Sequence, residues 1–208
     1  MKILALELSS AQGSIAWLEG EGEPFAVSFS NDRKHSGLFF ENLQSCFRQF
    51  GAPDLIVVGL GPGSYAGVRI AIAAAVGLRM ASAAKLIGLP SICAIDTGVR
   101  DYCAIGDARR HSFYFARVSE GKLLEGPSLH SAAELDAKIT KSPIPVYASE
   151  SLAQFPQATV AFPSARRLGE LARDQGDEIS DSQSLEPIYL REPHITTPKA
   201  SRASAIIS

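Results

Sequence analysis

The stretch from Asp54 to Arg79, DLIVVGLGPGSYAGVRIAIAAAVGLR, limits what this chain can become more than any other. An apolar β-type run, Leu55 to Val58, meets a turn with three glycines and a proline between Gly59 and Gly63, and an alanine-rich helical segment begins near Gly67. The order is strand, glycine turn, helix. Such a corner leaves backbone N–H groups of the helix's first turn pointing outward, where the helix dipole also favours negative charge. The specific phosphate patterns do not fit: a Walker loop ends in Gly-Lys-Ser/Thr, but Gly67 is followed by Val68 and Arg69, and Gly61, Gly63 and Gly67 miss G-x-G-x-x-G by one position. Two readings stay open: a cradle for an anion, or glycines that only permit a tight corner.

With 208 residues, 46% of them hydrophobic and 20% charged, the chain has globular statistics and suits one domain or two small lobes sharing a core. A net charge of -2 argues against binding nucleic acid by wholesale phosphate neutralisation, so any RNA contact is local or supplied by a partner. The longest apolar run, Ile70 to Leu78, lies between Arg69 and Arg79 and falls far short of the roughly 20 residues of a membrane span. The run Ile3 to Leu8 contains Glu7 and is too short for a signal peptide. Cys46, Cys93 and Cys103 are odd in number and sit in apolar segments, which predicts reduced thiols in the cytoplasm, and their spacing offers no zinc site.

Met1 to Glu19 alternates as a hairpin, KILALEL then SIAWLE, with Phe25 to Ser30 as a third strand. Glu7, Ser9 and Ser10 stand where the first strand enters its turn; they either orient a metal-bound phosphate or form a solvated turn. Residues 35–50 are predicted helical, with Phe39, Leu43, Cys46, Phe47 and Phe50 as an apolar stripe that Leu38 and Phe40 widen beyond one core contact. That surplus suits another subunit as well as the core. His35 reads as a helix-start residue, without a metal-ligand partner at helical spacing. Val68 to Ser82 is crowded with small residues, among them Ala71, Ala73, Ala75 and Gly77, and so reads as a helix-packing face. Leu86 to Leu89 is a short buried strand, and a short helix runs from Pro90 and Ser91 to Asp96.

Around Asp101 the plan restarts: a strand ending in Asp107, the turn Ala108-Arg109-Arg110-His111, and a strand Ser112 to Val118. This suggests a second lobe on the plan of the first. Arg109 and Arg110 read as solvated turn residues. Helices are predicted over 130–139 and 164–175, capped by Ser131 and Ser164, and strands over 145–148 and 159–162. The expected division is a first lobe 1–100, a smaller second lobe 101–193, and a mobile tail 194–208.

Taken together, ILALELSS, HSGLFFENL, GLGPGSYAGVRIAIAAAVGL, DARRHSFYFA and EPIYLRE resemble, in order and spacing, the TsaB (YeaZ) family of bacterial threonylcarbamoyladenosine biosynthesis. The resemblance covers most of residues 1–191. GPGS-aromatic-x-GxRI is the specific element; DAR and P-x-YLR support it. The chain departs from the family at Glu7, where aspartate is usual, at Glu41, where proline is common, and in GSYAG for GSFTG.

The resemblance implies an actin-like fold of two ribonuclease-H-like lobes, with mixed sheets flanked by helices. It implies a non-catalytic relative of TsaD, paired with it through the two helices of the first lobe and forming a homodimer when alone. TsaD then transfers threonylcarbamoyl to the adenosine beside the tRNA anticodon; TsaE docks on the pair, and tRNA is reached only indirectly. On this reading the partner-facing residues are His35, Phe39, Leu43, Cys46, Arg69, Ala73, Val76, Gly77 and Met80. Glu7, Ser9, Ser10, Gly61, Gly63 and Ser64 form vestigial phosphate-type turns, and no cofactor or metal is expected. The catalytic relative holds metal with H-x-x-x-H, where this chain has Ser91-Ile92-Cys93-Ala94-Ile95. The competing expectations are an actin-like ATPase or phosphotransferase using Glu7, Ser9 and the Gly61 to Gly67 turn, and a metal-dependent glycoprotease.

Overall fold

The first strand, β1 (Lys2–Glu7), is buried along nearly its whole length, because helices cover both faces of the sheet it centres. The computed structural model describes residues 1–31, 36–176 and 185–191. Around β1 lie β2 (Gln12–Glu19) and β3 (Phe25–Ser30) on one side, antiparallel, and β4 (Leu55–Gly59) and β5 (Lys85–Leu89) on the other, parallel, in the order β3-β2-β1-β4-β5. Helix α1 (Ser36–Phe50) joins β3 to β4, and α2 (Tyr65–Ser82) joins β4 to β5. Both crossovers pack on the outer face, where Leu4, Leu6, Ile15, Trp17, Ile56 and Val58 meet Phe39, Leu43, Cys46, Ala71 and Ala75.

The second sheet repeats the first. Strands β6 (Asp101–Asp107), β7 (Phe113–Ser119) and β8 (Lys122–His130) form an antiparallel meander, and β9 (Val146–Ala148) and β10 (Thr159–Val160) add parallel on the far side of β6. Read from the meander, the order is β8-β7-β6-β9-β10, the same as in sheet 1. Helix α3 (Ala132–Thr140) stands where α1 does, between the third and fourth strands, and begins with a reciprocal capping box between Ser131 and Glu134. Two such ribonuclease-H-like sheets in tandem make the fold actin-like.

Helix α4 (Ala165–Gln175) follows the last strand of sheet 2 but packs on the inner face of sheet 1, against β1, β2 and β4. The buried Ser14 hydroxyl of β2 accepts the N–H of Ala165 at 2.8 Å, and Gly169 lets the helix backbone approach Leu18. One core cluster consequently spans Ala5, Leu18 and Val57 of sheet 1, Leu168 and Ala172 of α4, and Tyr102, Ala104 and Ala116 of sheet 2. Burial of that size joins the two sheets.

Three local expectations change. Helix α2 starts at Tyr65, because Ser64 caps it by accepting the Gly67 N–H at 3.2 Å. The predicted short helix after Pro90 is a single 3-10 turn, Ser91–Ala94. Strand β8, which no sequence expectation covers, has Gly126-Pro127 in its middle, extends to His130 and pairs with β7 through a bulge between Phe115 and Arg117. His130 therefore ends a strand instead of starting a helix. His35 and the tail 194–208 lie outside the described residues.

Candidate functional site

The glycine corner is closed from below by the turn between β1 and β2. The Ser64 N–H donates to the Ser9 carbonyl at 2.6 Å, and a Cβ added at Gly63 would overlap that same carbonyl. At Gly67 an added Cβ would overlap the Leu8 carbonyl. The two turns thus lie backbone to backbone, which is the close approach these glycines permit. A protein carbonyl sits where an anion would approach, and Ser64 takes two further helix donors, Gly67 N–H through its hydroxyl and Val68 N–H through its carbonyl. Of the two sequence readings, the corner fits tight packing.

Glu7 fills the space beneath. It is fully buried, with Ser9 and Ser10 nearly so, so the turn is not solvated. Its Oε1 accepts the Ser9 N–H at 2.6 Å, while Oε2 has no hydrogen-bond partner among the described residues. Oε2 lies against Gly59, where a Cβ would overlap it, beside the Ser91 hydroxyl, which accepts the Gly61 N–H at 2.9 Å. Burial pushes the Glu7 carboxyl above its ordinary value, and hydrogen bonds from the Ser9 and Ser91 side oppose the shift. Sequence spacing missed Gly59 and Ser91 as neighbours of Glu7; Gly59 ends β4 and Ser91 opens the 3-10 turn after β5.

The segment Leu185–Arg191 crosses the corner from above. The Ile188 N–H donates to the Leu60 carbonyl at 2.8 Å, Leu185 packs on the outer core and Leu190 on the inner one. Tyr189 meets the Tyr65 ring at 5.7 Å, and Arg69 donates to both phenol oxygens at 3.3 Å. Tyr189 had no periodic signal tying it to this cluster, because it lies 120 residues from Arg69.

The outward side of α2 is exposed and largely apolar. Tyr65, Arg69, Ala73, Val76, Gly77 and Met80 are exposed along one stripe, with Met80 at 85%. A Cβ at Gly77 would touch nothing. Beside it, a groove of about 470 Å³ between the helices is lined by Phe40, Leu43, Phe47 and Leu78. Of the residues predicted to face a partner, Phe39 and Cys46 are instead buried against sheet 1, and Leu43 forms the nearly buried floor of this groove. The sequence stripe through those three was the core stripe of α1, and Phe40, 52% exposed, is its apolar residue on the open side.

No group of three or more metal-ligating side chains occurs among the described residues. All three cysteines are free and buried; burial pushes the Cys46 and Cys93 thiols up to about 11, which makes them poor nucleophiles.

A family model described as TsaD, tRNA N6-adenosine threonylcarbamoyltransferase, matches residues 31–177. A Mycobacterium leprae protein of uncharacterised function is 37% identical over 89 residues, 40% of this chain and 23% of its own length. A Mycobacterium tuberculosis relative, also uncharacterised, is 34% identical over 89 residues, 40% of each chain. The match thus spans less than half the length of either relative. Two Pseudomonas aeruginosa structures, one of YeaZ and one of a protein similar to peptidase YeaZ, superpose with TM-scores of 0.71 and 0.75 at 23% identity, covering 91% of this chain and 99% of theirs. The same fold thus extends over nearly the whole of both proteins, and with the family match it makes this chain a member of the tRNA N6-adenosine threonylcarbamoyltransferase family, of the TsaB (YeaZ) type.

Proposed function

We propose that this chain is a non-catalytic subunit that pairs, through the exposed sides of α1 and α2, with a TsaD-type threonylcarbamoyltransferase. Its role is to support formation of N6-threonylcarbamoyladenosine beside the anticodon of tRNAs, with the transfer carried out on the partner. A TsaE-type ATPase docks on the pair, and the setting is the cytoplasm. The observation that carries this reading is the α2 stripe: tyrosine, arginine, valine and methionine side chains exposed together, with Ala73 and Gly77 small enough for another helix backbone to come close. Such a surface is costly to leave in water and suits a subunit contact.

The glycine corner supports the non-catalytic half of the reading. An actin-like phosphotransferase needs its turns open to phosphate, and here Ser9 and Glu7 occupy that space. The same α2 face on a second copy is self-complementary, so the free chain forms an isologous homodimer that the partner replaces.

The test is to mix the purified chain with a TsaD-type partner and measure the mass of the mixture by light scattering. A one-to-one complex that is lost with Val76→Glu is expected. Failure to pair, or ATP turnover by the isolated chain at an enzymatic rate, overturns the reading.

A further inference from the structure

The turn between β6 and β7 occupies the place in sheet 2 that the buried β1–β2 turn occupies in sheet 1, yet it lies at the surface and directs cations outward. Arg109, Arg110 and His111 have φ of 65°, 54° and 58°. Three successive residues with side chains in the left-handed region carry a conformational cost, so surrounding structure must hold them in place. Here the hold comes from three directions. Asp107 accepts the Arg109 N–H through Oδ1 at 2.6 Å and pairs with its guanidinium through Oδ2 at 3.0 Å. Ala108 N–H donates to the Ser112 carbonyl, and Ser112 N–H to the Arg109 carbonyl. From the crossing segment, Arg191 donates to the Ser112 hydroxyl at 2.7 Å.

The result is a small cationic tip. Asp107 is neutralised by Arg109, and Glu150 accepts the Asp107 N–H. Arg110, His111 and Arg191 are exposed, and none of the three is ion-paired among the described residues. The N–H groups of Arg110 and His111 donate to no acceptor among the described residues, and successive free N–H groups in a turn suit anionic oxygen. All this stands on a chain whose net charge is -2.

We propose that this tip, Arg110 and His111 with Arg191 beside them, is a direct contact for the phosphate backbone of RNA. A small phosphorylated metabolite would need walls, and the tip has none; an extended polyanion needs only aligned cations and N–H donors. The inference adds a direct contact to a role otherwise exercised through the partner, and it rests on that role only in taking tRNA as the RNA.

The test is fluorescence anisotropy of a labelled tRNA transcript with the isolated chain, as a function of salt. Arg110→Glu with His111→Glu is expected to weaken binding about tenfold at low salt and to flatten the dependence of log K on log salt by roughly 1 to 2. Lys122→Glu, an exposed cation at the opposite end of sheet 2, is expected to bind as the parent chain does. Melting curves verify that each variant is folded. Absence of binding by the parent chain at low salt, or equal binding by the parent and the double variant, overturns the inference. Because no partner is present, the result stands apart from the pairing test: a chain that pairs yet binds no tRNA loses this contact and keeps the role, and one that binds tRNA yet does not pair loses the role and keeps the contact.

Discussion

Glu7 and Asp107 do the same thing in the two sheets: each ends the central strand, and each accepts the backbone N–H of the residue two positions on, Ser9 and Arg109, at 2.6 Å. The strand order around them is also the same. Their surroundings are opposite. Glu7 is sealed between the glycine corner and Ser91, whereas Asp107 is partly exposed and neutralised by an arginine at the surface. One device, a carboxylate that closes a hairpin turn, has been built into the core in one sheet and left facing water in the other.

The buried copy makes stability depend on pH. Burial raises the folded-state pKa of Glu7 above the unfolded value near 4.5, so the native chain holds a proton that the unfolded chain has already released. Stability from this group is complete below the unfolded value and is lost as pH rises through the folded one. Glu7→Gln keeps an oxygen for the Ser9 N–H and removes the charge. The variant is expected to melt at or above the parent's temperature, with a gap that widens in circular dichroism melts as pH rises above the unfolded value and through the raised folded one. A Gln variant less stable than the parent at the alkaline end would mean that the ionised carboxylate is stabilised in place.

Two glycines of α2 should respond in opposite ways to the same substitution. Gly67→Ala drives a methyl group into the Leu8 carbonyl and is expected to destabilise by about 1–3 kcal/mol, the range for overpacking. Gly77→Ala meets open space and is expected to stabilise the free chain by about 0.5–1 kcal/mol, through helix propensity alone. Urea denaturation of both variants decides it. Equal effects would mean the corner relaxes freely and is not the tight contact described here.

Much of this was legible beforehand because it depends on local pattern. The two hairpins, the outer helices, the caps Ser131 and Ser164, and the restart near Asp101 follow from alternation, helical spacing and turn residues. What escaped depends on partners far away in sequence. Strand β8 was hidden because Gly126-Pro127 is a breaker locally and a bulge only once β7 is beside it. The stripe Phe39, Leu43 and Cys46 is apolar whether it faces a sheet or a subunit, so periodicity could find the stripe and not its direction. Sheet 1 decides it, leaving Phe40 and the outer side of α2 uncovered.

That assignment predicts which variants separate pairing from folding. Val76→Glu and Met80→Glu change exposed side chains and are expected to leave the melting temperature within the usual range for surface substitutions, about 0.5 kcal/mol in stability, while abolishing association measured by light scattering. Leu43→Asp places a charge at a position only 7% exposed and is expected to unfold the chain, so its failure to pair would carry no information about the face. Retained association by both α2 variants would move the docking face elsewhere.

The segment Leu185–Arg191 offers the last check, on what closes the corner. Leu185 belongs to the outer core and Leu190 to the inner one, the Ile188 N–H is bound to Leu60, and Arg191 reaches Ser112 at the head of β7. A chain ending after Ser184 loses all four contacts. Two half-buried leucines and one backbone hydrogen bond amount to roughly 3 kcal/mol, on the order of 10 °C in melting temperature for a chain of this size. A chain ending after Glu192 retains the four contacts and is expected to melt above the shorter one by that amount. Limited proteolysis should separate the same two truncations, with cleavage near the Gly61 to Ser64 turn appearing only in the shorter one, since there the cover over the turn is gone. Equal melting of both truncations would show that β4, α2 and the Leu8–Ser10 turn hold the corner without help from the crossing segment.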